Sequence, residues 1–141
     1  MTPEKFIIAK ASEAIQALYG VEVPEAQLQV QVTRKEFEGD YTLVVFPLLK
    51  MSKTTPENTG NAIGEWLKAN VAEVAAYNTV KGFLNISFSE VYWNNVFAEI
   101  AAAEDFGQLE PTGRTIMVEY SSPNTNKPLH LGHIRNNLLG W

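Results

Sequence analysis

The first hundred residues alternate between helical and strand-like hydrophobic patterns. Apolar residues recur at helical spacing after Thr2-Pro3-Glu4 and again after Thr55-Pro56-Glu57. Each triplet supplies a capping hydroxyl, a proline at the first helical position and an acid in the first turn. A third helix is predicted after Ser89. Shorter apolar runs predict strands over residues 28–32, 41–46, 74–80 and 83–88.

Strands in hairpin-like pairs with interspersed helices predict an α+β domain of antiparallel strands with packed helices. A glycine-rich linker over residues 107–113 ends this domain. After it, residues 114–119 predict a strand, which a loop and a helix follow. Strand, turn and helix form the opening unit of an α/β Rossmann-like nucleotide-binding fold. We therefore expect one domain over residues 1–110 and, over residues 111–141, the truncated start of a catalytic domain from a longer enzyme.

Charge is unevenly distributed along the chain. The net charge is −5, with −7 over residues 1–110 and +2 over residues 111–141, which also hold both histidines. The acidic body argues against non-specific binding of nucleic acid, whereas the basic tail suits an anion. No apolar run approaches the length of a membrane span, and the N-terminus lacks the order of a signal peptide. Cysteine is absent, so we expect a soluble cytoplasmic protein without disulfides.

The candidate chemistry lies at the predicted strand-to-helix turn near the end of the chain. Glu119 ends the strand, and His130-Leu131-Gly132-His133 opens the helix, whose first N–H groups favour a phosphate. The two imidazoles share one side of a helical turn, so both can donate hydrogen bonds to phosphate oxygens. Gly132 leaves room for a nucleotide, and Lys127 adds a positive charge.

Two plainer interpretations compete with a nucleotide site. A single helical histidine is more often a packed or surface residue than a ligand. Glu119, His130 and His133 could also form a three-ligand metal site. A metal site gives the glycine and the lysine no role, so the sequence predicts no metal ligand here.

Residues 119–140 resemble the first signature of class I aminoacyl-tRNA synthetases, and specifically that of the arginyl-tRNA synthetase family. The matching residues are Glu119, Tyr120, Ser121, Ser122, Pro123, Asn124, Lys127, His130, Gly132, His133 and Arg135. Two weaker elements, Gly39-Asp40-Tyr41 and Gly82-Phe83-Leu84-Asn85, resemble the N-terminal added domain of the same family.

The resemblance implies a two-step reaction. Arginine attacks the α-phosphate of ATP and releases pyrophosphate, and the arginyl group then moves to the terminal ribose of its tRNA. By similarity, Glu119 pairs with the arginine guanidinium, Asn124 holds the α-amino group and Ser122 lines the amino-acid site.

The same resemblance assigns the phosphate chemistry. It implies that His130, Gly132 and His133 stabilise the transition state, and that Lys127 supports the ATP. ATP is a substrate that Mg²⁺ accompanies, and no tightly bound cofactor is expected. Because most of the nucleotide fold lies outside this sequence, we expect the 141-residue chain alone to be inactive.

The resemblance further implies that the N-terminal domain contacts the tRNA elbow, mainly the D-loop. The carriers predicted here are Asn85, which can hydrogen-bond a base edge, and Phe88, which can stack on a base. Simple alternation puts the two side chains on opposite faces of their strand. The implied partners are arginine, ATP and the arginine tRNA, without a membrane, and the full-length protein is expected to be a monomer.

Lys50-Met51-Ser52-Lys53 matches the start of the second class I signature. That signature follows the first one in class I chains, whereas this match precedes it by about eighty residues, so we assign it a structural role. Two other functions remain open: a small nucleotidylyltransferase that uses the His-x-Gly-His turn, and a non-catalytic module that binds RNA or protein.

Overall fold

The computed structural model describes residues 2–108 and 110–141, and the chain divides into two compact units between Glu104 and Asp105. The first unit is an α+β domain in which helices cover one face of a four-stranded sheet. Its elements are α1 (Pro3–Tyr19), β1 (Val30–Val32), β2 (Tyr41–Val44), α2 (Leu49–Ser52), α3 (Pro56–Asn70), β3 (Val74–Val80), β4 (Phe83–Phe88) and α4 (Glu90–Ala102).

The predicted helix starts are confirmed by their caps. The Thr2 hydroxyl accepts the Lys5 N–H at 3.4 Å, and the Thr55 hydroxyl accepts the Asn58 N–H at 3.2 Å. Ser89 caps α4 in the same way. A capping hydroxyl satisfies one of the first N–H groups of a helix, which have no partner inside the helix.

The sheet is antiparallel throughout, with the strand order β1-β2-β4-β3. Helices α1 and α3 pack on its inner face, where Leu43 and Leu84 are fully buried. Gly60 and Gly64 let α3 lie close to the sheet, because a Cβ atom at either position would overlap side chains of β3. The outer face carries a polar row across all four strands: Gln31, Thr42, Asn85 and Asn78 are register partners.

Two predicted strands are shorter than the pattern suggests. The run over residues 41–46 ends its strand at Val44, because Phe46–Leu48 turns into a short 3₁₀ helix. The alternation over residues 28–32 predicts that Val32 is half-buried, but its side chain is 66% exposed. β1 is a three-residue edge strand, and of its residues only Val30 packs against the core.

Residues 33–40 form a loop that Asp40 attaches to β4. The Asp40 N–H donates to the Ile86 carbonyl at 2.8 Å, and its carboxylate accepts the Phe88 N–H at 2.8 Å. Gly39, with φ +121, lies against β4 so closely that a Cβ atom there would stand 3.0 Å from the Cβ of Asn85. The Gly-Asp-Tyr element therefore has a structural basis: the glycine allows the close approach and the acid fixes it.

The second unit contains one helix, α5 (Leu131–Gly140), as predicted for the segment after the loop. The predicted strand over residues 114–119 is wrong for this structure, because no residue in the described part of this unit is in a strand. A strand needs a neighbour for its backbone groups, and the described residues supply none here. Of the predicted strand, loop and helix, the described residues therefore form only the helix as a regular element. No helix of the described residues is long and apolar enough to cross a bilayer.

Alanine at Gly39 should destabilise the chain more than alanine at Gly20. Both glycines have positive φ, but a Cβ atom at Gly20 meets nothing within 4 Å. We expect Gly20→Ala to lower the free energy of unfolding by about 1 kcal/mol from backbone strain alone. Gly39→Ala should cost roughly 1–3 kcal/mol more, because β4 must also move. Urea titration of both variants measures this difference, and equal midpoints would contradict the close approach.

Candidate functional site

The two histidines cap the N-terminus of α5. Nδ1 of His130 accepts the Gly132 N–H at 3.1 Å, and Nδ1 of His133 accepts the His130 N–H at 3.1 Å. Their ring centroids lie 4.1 Å apart. A Cβ atom at Gly132 would stand 2.9 Å from the ring of His130, so the glycine allows the imidazole to fold back onto the helix end.

This arrangement determines which ring nitrogen can face a ligand. Because Nδ1 of each imidazole accepts a backbone N–H, a neutral ring carries its proton on Nε2. Both Nε2–H groups are therefore the donors available to phosphate oxygens. The imidazoles also occupy two N–H groups of the helix end, so an anion at this helix end would contact side chains more than free backbone.

A second group in the same unit contains the residues predicted to bind the amino-acid substrate, Glu119, Ser122 and Asn124. The Ser122 hydroxyl donates to the Glu119 carboxylate at 2.8 Å, with Ser122 at φ +26. The Asn124 side-chain oxygen accepts the Asn126 N–H at 2.9 Å, which closes a turn before Lys127. Glu119 and Ser122 are thus in direct contact, and their assignment to one binding site stays a prediction.

The structure does not bring Glu119 next to the histidines. Glu119 lines an open cleft with Asn137, Leu138 and Trp141, and Gly140 lies against the ring of Tyr120. Asn137, Leu138 and Gly140 lie in the C-terminal half of α5 and Trp141 follows it, whereas the histidines are at its N-terminus. The described residues also contain no cluster of three metal-ligating side chains, so the three-ligand metal interpretation gains no support.

A second candidate site lies on the first unit, at the outer face of the sheet. We call it the outer pocket; it has a volume of about 140 Å³ and is lined by Gln31, Arg34, Phe37, Thr42, Val80, Lys81, Phe83 and Asn85. Its lining holds two cations, two aromatic rings and no carboxylate. A groove with cations for phosphates and aromatic faces for bases is typical of sites that bind single-stranded nucleic acid.

Asn85 lies in the outer pocket, but Phe88 does not. The Phe88 side chain is 6% exposed and packs in the core, stacked on Tyr92 with ring centroids 4.0 Å apart. The expectation that Phe88 stacks on a base is therefore wrong, because its ring is on the opposite, covered face of β4. Phe83 is the aromatic residue on the face of Asn85, and it is 37% exposed.

Sequence reasoning missed most of the outer pocket. The signal for Phe83 was available, since residues two apart on a strand share a face. Arg34 and Phe37 come from the loop over residues 33–40, and Lys81 from the β3–β4 turn, where its φ is +48. A hydrophobic pattern gives no information on where such loop residues lie.

The match to the second class I signature is structural. Met51 is partly buried against the core, and the Ser52 hydroxyl bonds that of Thr59 at 2.8 Å. Lys53 ends α2 in a left-handed conformation at φ +53. These contacts explain the segment without a ligand.

The chain is similar to arginine–tRNA ligases over nearly its whole length. It is 54% identical to the arginine–tRNA ligase of Bacteroides thetaiotaomicron over 99% of the chain and 24% of that protein. It is 53% identical to that of Porphyromonas gingivalis over 93% of the chain and 22% of that protein. Nearly the whole chain is thus similar to one part of an arginine–tRNA ligase. It spans about a quarter of the length of the curated relatives it matches.

Two further comparisons also find similarity to class I tRNA synthetases. Residues 96–141 match the family model of the class I tRNA synthetases (R), catalytic domain. The arginyl-tRNA synthetase of Thermus thermophilus has a similar structure, with a TM-score of 0.57 and 26% identity over 99% of this chain and 22% of that one. These similarities do not favour a small nucleotidylyltransferase or a non-catalytic module. The match begins inside α4, and the boundary at residue 110 stays a prediction.

Truncating each phenylalanine of β4 in turn should show which ring lies in the core and which lies in the outer pocket. Phe88→Ala should lower the free energy of unfolding by about 3–5 kcal/mol, because it removes a buried ring. Phe83→Ala, the matched control on the outer face, should cost under about 1.5 kcal/mol. Chemical denaturation of both variants measures the costs, and a larger loss for Phe83→Ala would reverse the assignment of faces.

Proposed function

We propose that this chain is the N-terminal part of an arginine–tRNA ligase, which activates arginine with ATP and transfers it to the arginine tRNA. The observation that carries the proposal is the similarity over 99% of the chain to the Bacteroides ligase, together with the intact first signature. The full-length protein acts as a cytoplasmic monomer in this proposal.

The second unit contains residues that bind arginine and ATP, the two substrates of the activation step. Glu119 binds the guanidinium through charge-assisted hydrogen bonds, and its contact with Ser122 holds the carboxylate in place. Asn124 binds the α-amino group of arginine. Each proposed contact uses a hydrogen-bond donor or acceptor that the side chain normally carries.

The other residues of the first signature contact the phosphates of ATP. Nε2–H groups of His130 and His133 donate to the α-phosphate as charge develops there, and Gly132 leaves space for the nucleotide. Lys127 supports the ATP from the loop, and Mg²⁺ enters with the nucleotide as its counter-ion. The 141-residue chain alone is inactive in this account, since it holds only part of the activation site.

The first unit contacts the elbow of the tRNA through the outer pocket. Arg34 and Lys81 face phosphates, Phe83 stacks on an unpaired base and Asn85 hydrogen-bonds its edge. The support for this assignment is the combination of side chains in one cavity. The pocket also explains how an acidic domain binds RNA, because its rim is locally basic.

Amino-acid-dependent exchange of pyrophosphate into ATP tests the proposed activity. The complete enzyme that contains this chain should support exchange with arginine alone among the twenty amino acids, and best when tRNA is present. Glu119→Gln should lower exchange about 10- to 100-fold, because a charge-assisted hydrogen bond to the guanidinium is weakened. Glu110→Gln, which removes an exposed acid from the linker, is the matched control. Exchange with another amino acid, or with none, would contradict the proposal.

A further inference from the structure

Helix α4 is attached to the first unit at its N-terminal end only. Of its residues only Tyr92 is buried, and the ring of Tyr92 stacks on Phe88. Val96 is partly buried against the core, and the residues of α4 that follow it are exposed. Helices α1 and α3, by contrast, bury four and five residues spread over several turns. The second half of α4 therefore lies in solvent.

One side of α4 carries a row of exposed apolar side chains. Trp93, Phe97 and Ile100 recur at helical spacing and are 38%, 71% and 37% exposed. Together with Val96 they form one uncharged stripe along the helix, which we call the α4 stripe. Val91, which is 66% exposed, lies nearly opposite Ile100, because the two are separated by about two and a half turns.

Water is an unfavourable environment for the α4 stripe. Single exposed apolar side chains are common on proteins, but contiguous apolar patches mark surfaces that bind something. The first unit covers only the beginning of the stripe, where Trp93 lies edge-on to Phe88 with ring centroids 5.6 Å apart. A helix of this length gains most of its stability from packing of its apolar side and little from helix propensity. The stripe therefore favours a further surface that covers Phe97 and Ile100.

Similarity to the class I tRNA synthetases indicates which polypeptide covers the stripe. The match to the catalytic-domain family model begins at residue 96, so Phe97 and Ile100 belong to the matched segment although α4 starts in the first unit. The chain covers 24% of the arginine–tRNA ligase of Bacteroides thetaiotaomicron, so most of that protein lies outside the match. Apolar helix residues that match a catalytic domain are expected to pack within that domain.

We propose that the α4 stripe is the surface on which the rest of the catalytic domain packs in the complete enzyme. The occupant is an apolar surface of the polypeptide that follows Trp141, and it contacts Phe97 and Ile100 directly. Val91, on the other side of the helix, stays in solvent. This inference rests on the proposal that the chain is part of a longer ligase, but not on arginine as its substrate.

Labelling of an introduced cysteine with N-ethylmaleimide measures whether the stripe is covered. The chain contains no cysteine, and no lysine or arginine lies between Lys81 and Arg114, so trypsin releases residues 82–114 as one peptide. Labelling of Phe97→Cys and of the control Val91→Cys is therefore read by mass spectrometry on the same peptide, whatever cysteines the rest of the enzyme has. Each variant is labelled both as the 141-residue chain and within the complete enzyme.

Only the complete enzyme should protect the stripe. In the 141-residue chain Phe97→Cys and Val91→Cys should react at similar rates, because both positions are exposed. In the complete enzyme, labelling of Phe97→Cys should slow about tenfold or more, since a covered thiol reacts only when its contact opens, and Val91→Cys should change by less than about twofold. Ile100→Cys, a smaller truncation in the same stripe, should be protected as well, which guards against loss of the contact when the ring of Phe97 is removed.

Three results would overturn the inference. The first is labelling of both Phe97→Cys and Ile100→Cys in the complete enzyme as fast as in the 141-residue chain. The second is equal slowing of Val91→Cys, which would mean that the helix is buried as a whole and not along its stripe. The third is protection that already appears in the 141-residue chain and increases with its concentration, which would identify a second copy as the occupant.

The labelling result is independent of the proposed activity, because the experiment uses no arginine, ATP or tRNA. A protected stripe in an enzyme that exchanges pyrophosphate with no amino acid would retain this inference and overturn the proposed function. Arginine-dependent exchange in an enzyme whose stripe is unprotected would retain the proposed function and overturn this inference.

Discussion

The architecture of the first unit depends on the attachment of one loop to one strand through Asp40. Its N–H, carbonyl and carboxylate bond Ile86, Thr33 and Phe88 respectively, all at 2.8–3.0 Å. These bonds bring residues 33–40 over the outer face of the sheet and bury Asn85, which an exposed sheet face would leave in water. The same bonds hold the backbone of Thr33, whose hydroxyl lies 3.0 Å from that of Thr42 beneath the pocket. Helices cover the inner face of the sheet and leave its outer face uncovered. The loop over residues 33–40 therefore determines whether the outer face is flat or concave.

The sequence predicts the first unit well where local chemistry decides. Capping residues at Thr2, Thr55 and Ser89 mark helix starts, because a hydroxyl at that point satisfies a backbone N–H in any context. Period-two alternation locates β4, and its parity already puts Asn85 and Phe88 on opposite faces. Parity does not tell which face the helices cover, so the sequence predicts an RNA contact for Phe88 although its ring is in the core. The loop residues of the outer pocket follow from long-range contacts, which no local pattern contains.

The second unit is the opposite case, in which the motif is specific but its structure is incomplete. His130-Leu131-Gly132-His133 forms a helix start with both imidazoles folded onto the backbone, as its spacing allows. Residues 114–119 do not form a strand, because β-structure needs a partner for its backbone and a helix does not. The same difference explains why the histidines adopt a defined arrangement while Glu119 lies at the far end of α5. The residues proposed to bind arginine and those proposed to bind phosphate are thus separate groups in this chain.

The central proposal is that the acidic first unit binds RNA through the basic rim of its outer pocket. The salt dependence of arginine-tRNA binding by the complete enzyme tests this claim most directly. Arg34→Glu at the pocket and Lys68→Glu on α3 change the net charge equally, and both side chains are exposed. We expect Arg34→Glu to weaken binding about tenfold and to reduce the slope of log affinity against log salt by about 1, with little change for Lys68→Glu. Equal losses in the two variants would mean that net charge, and not the pocket, determines binding.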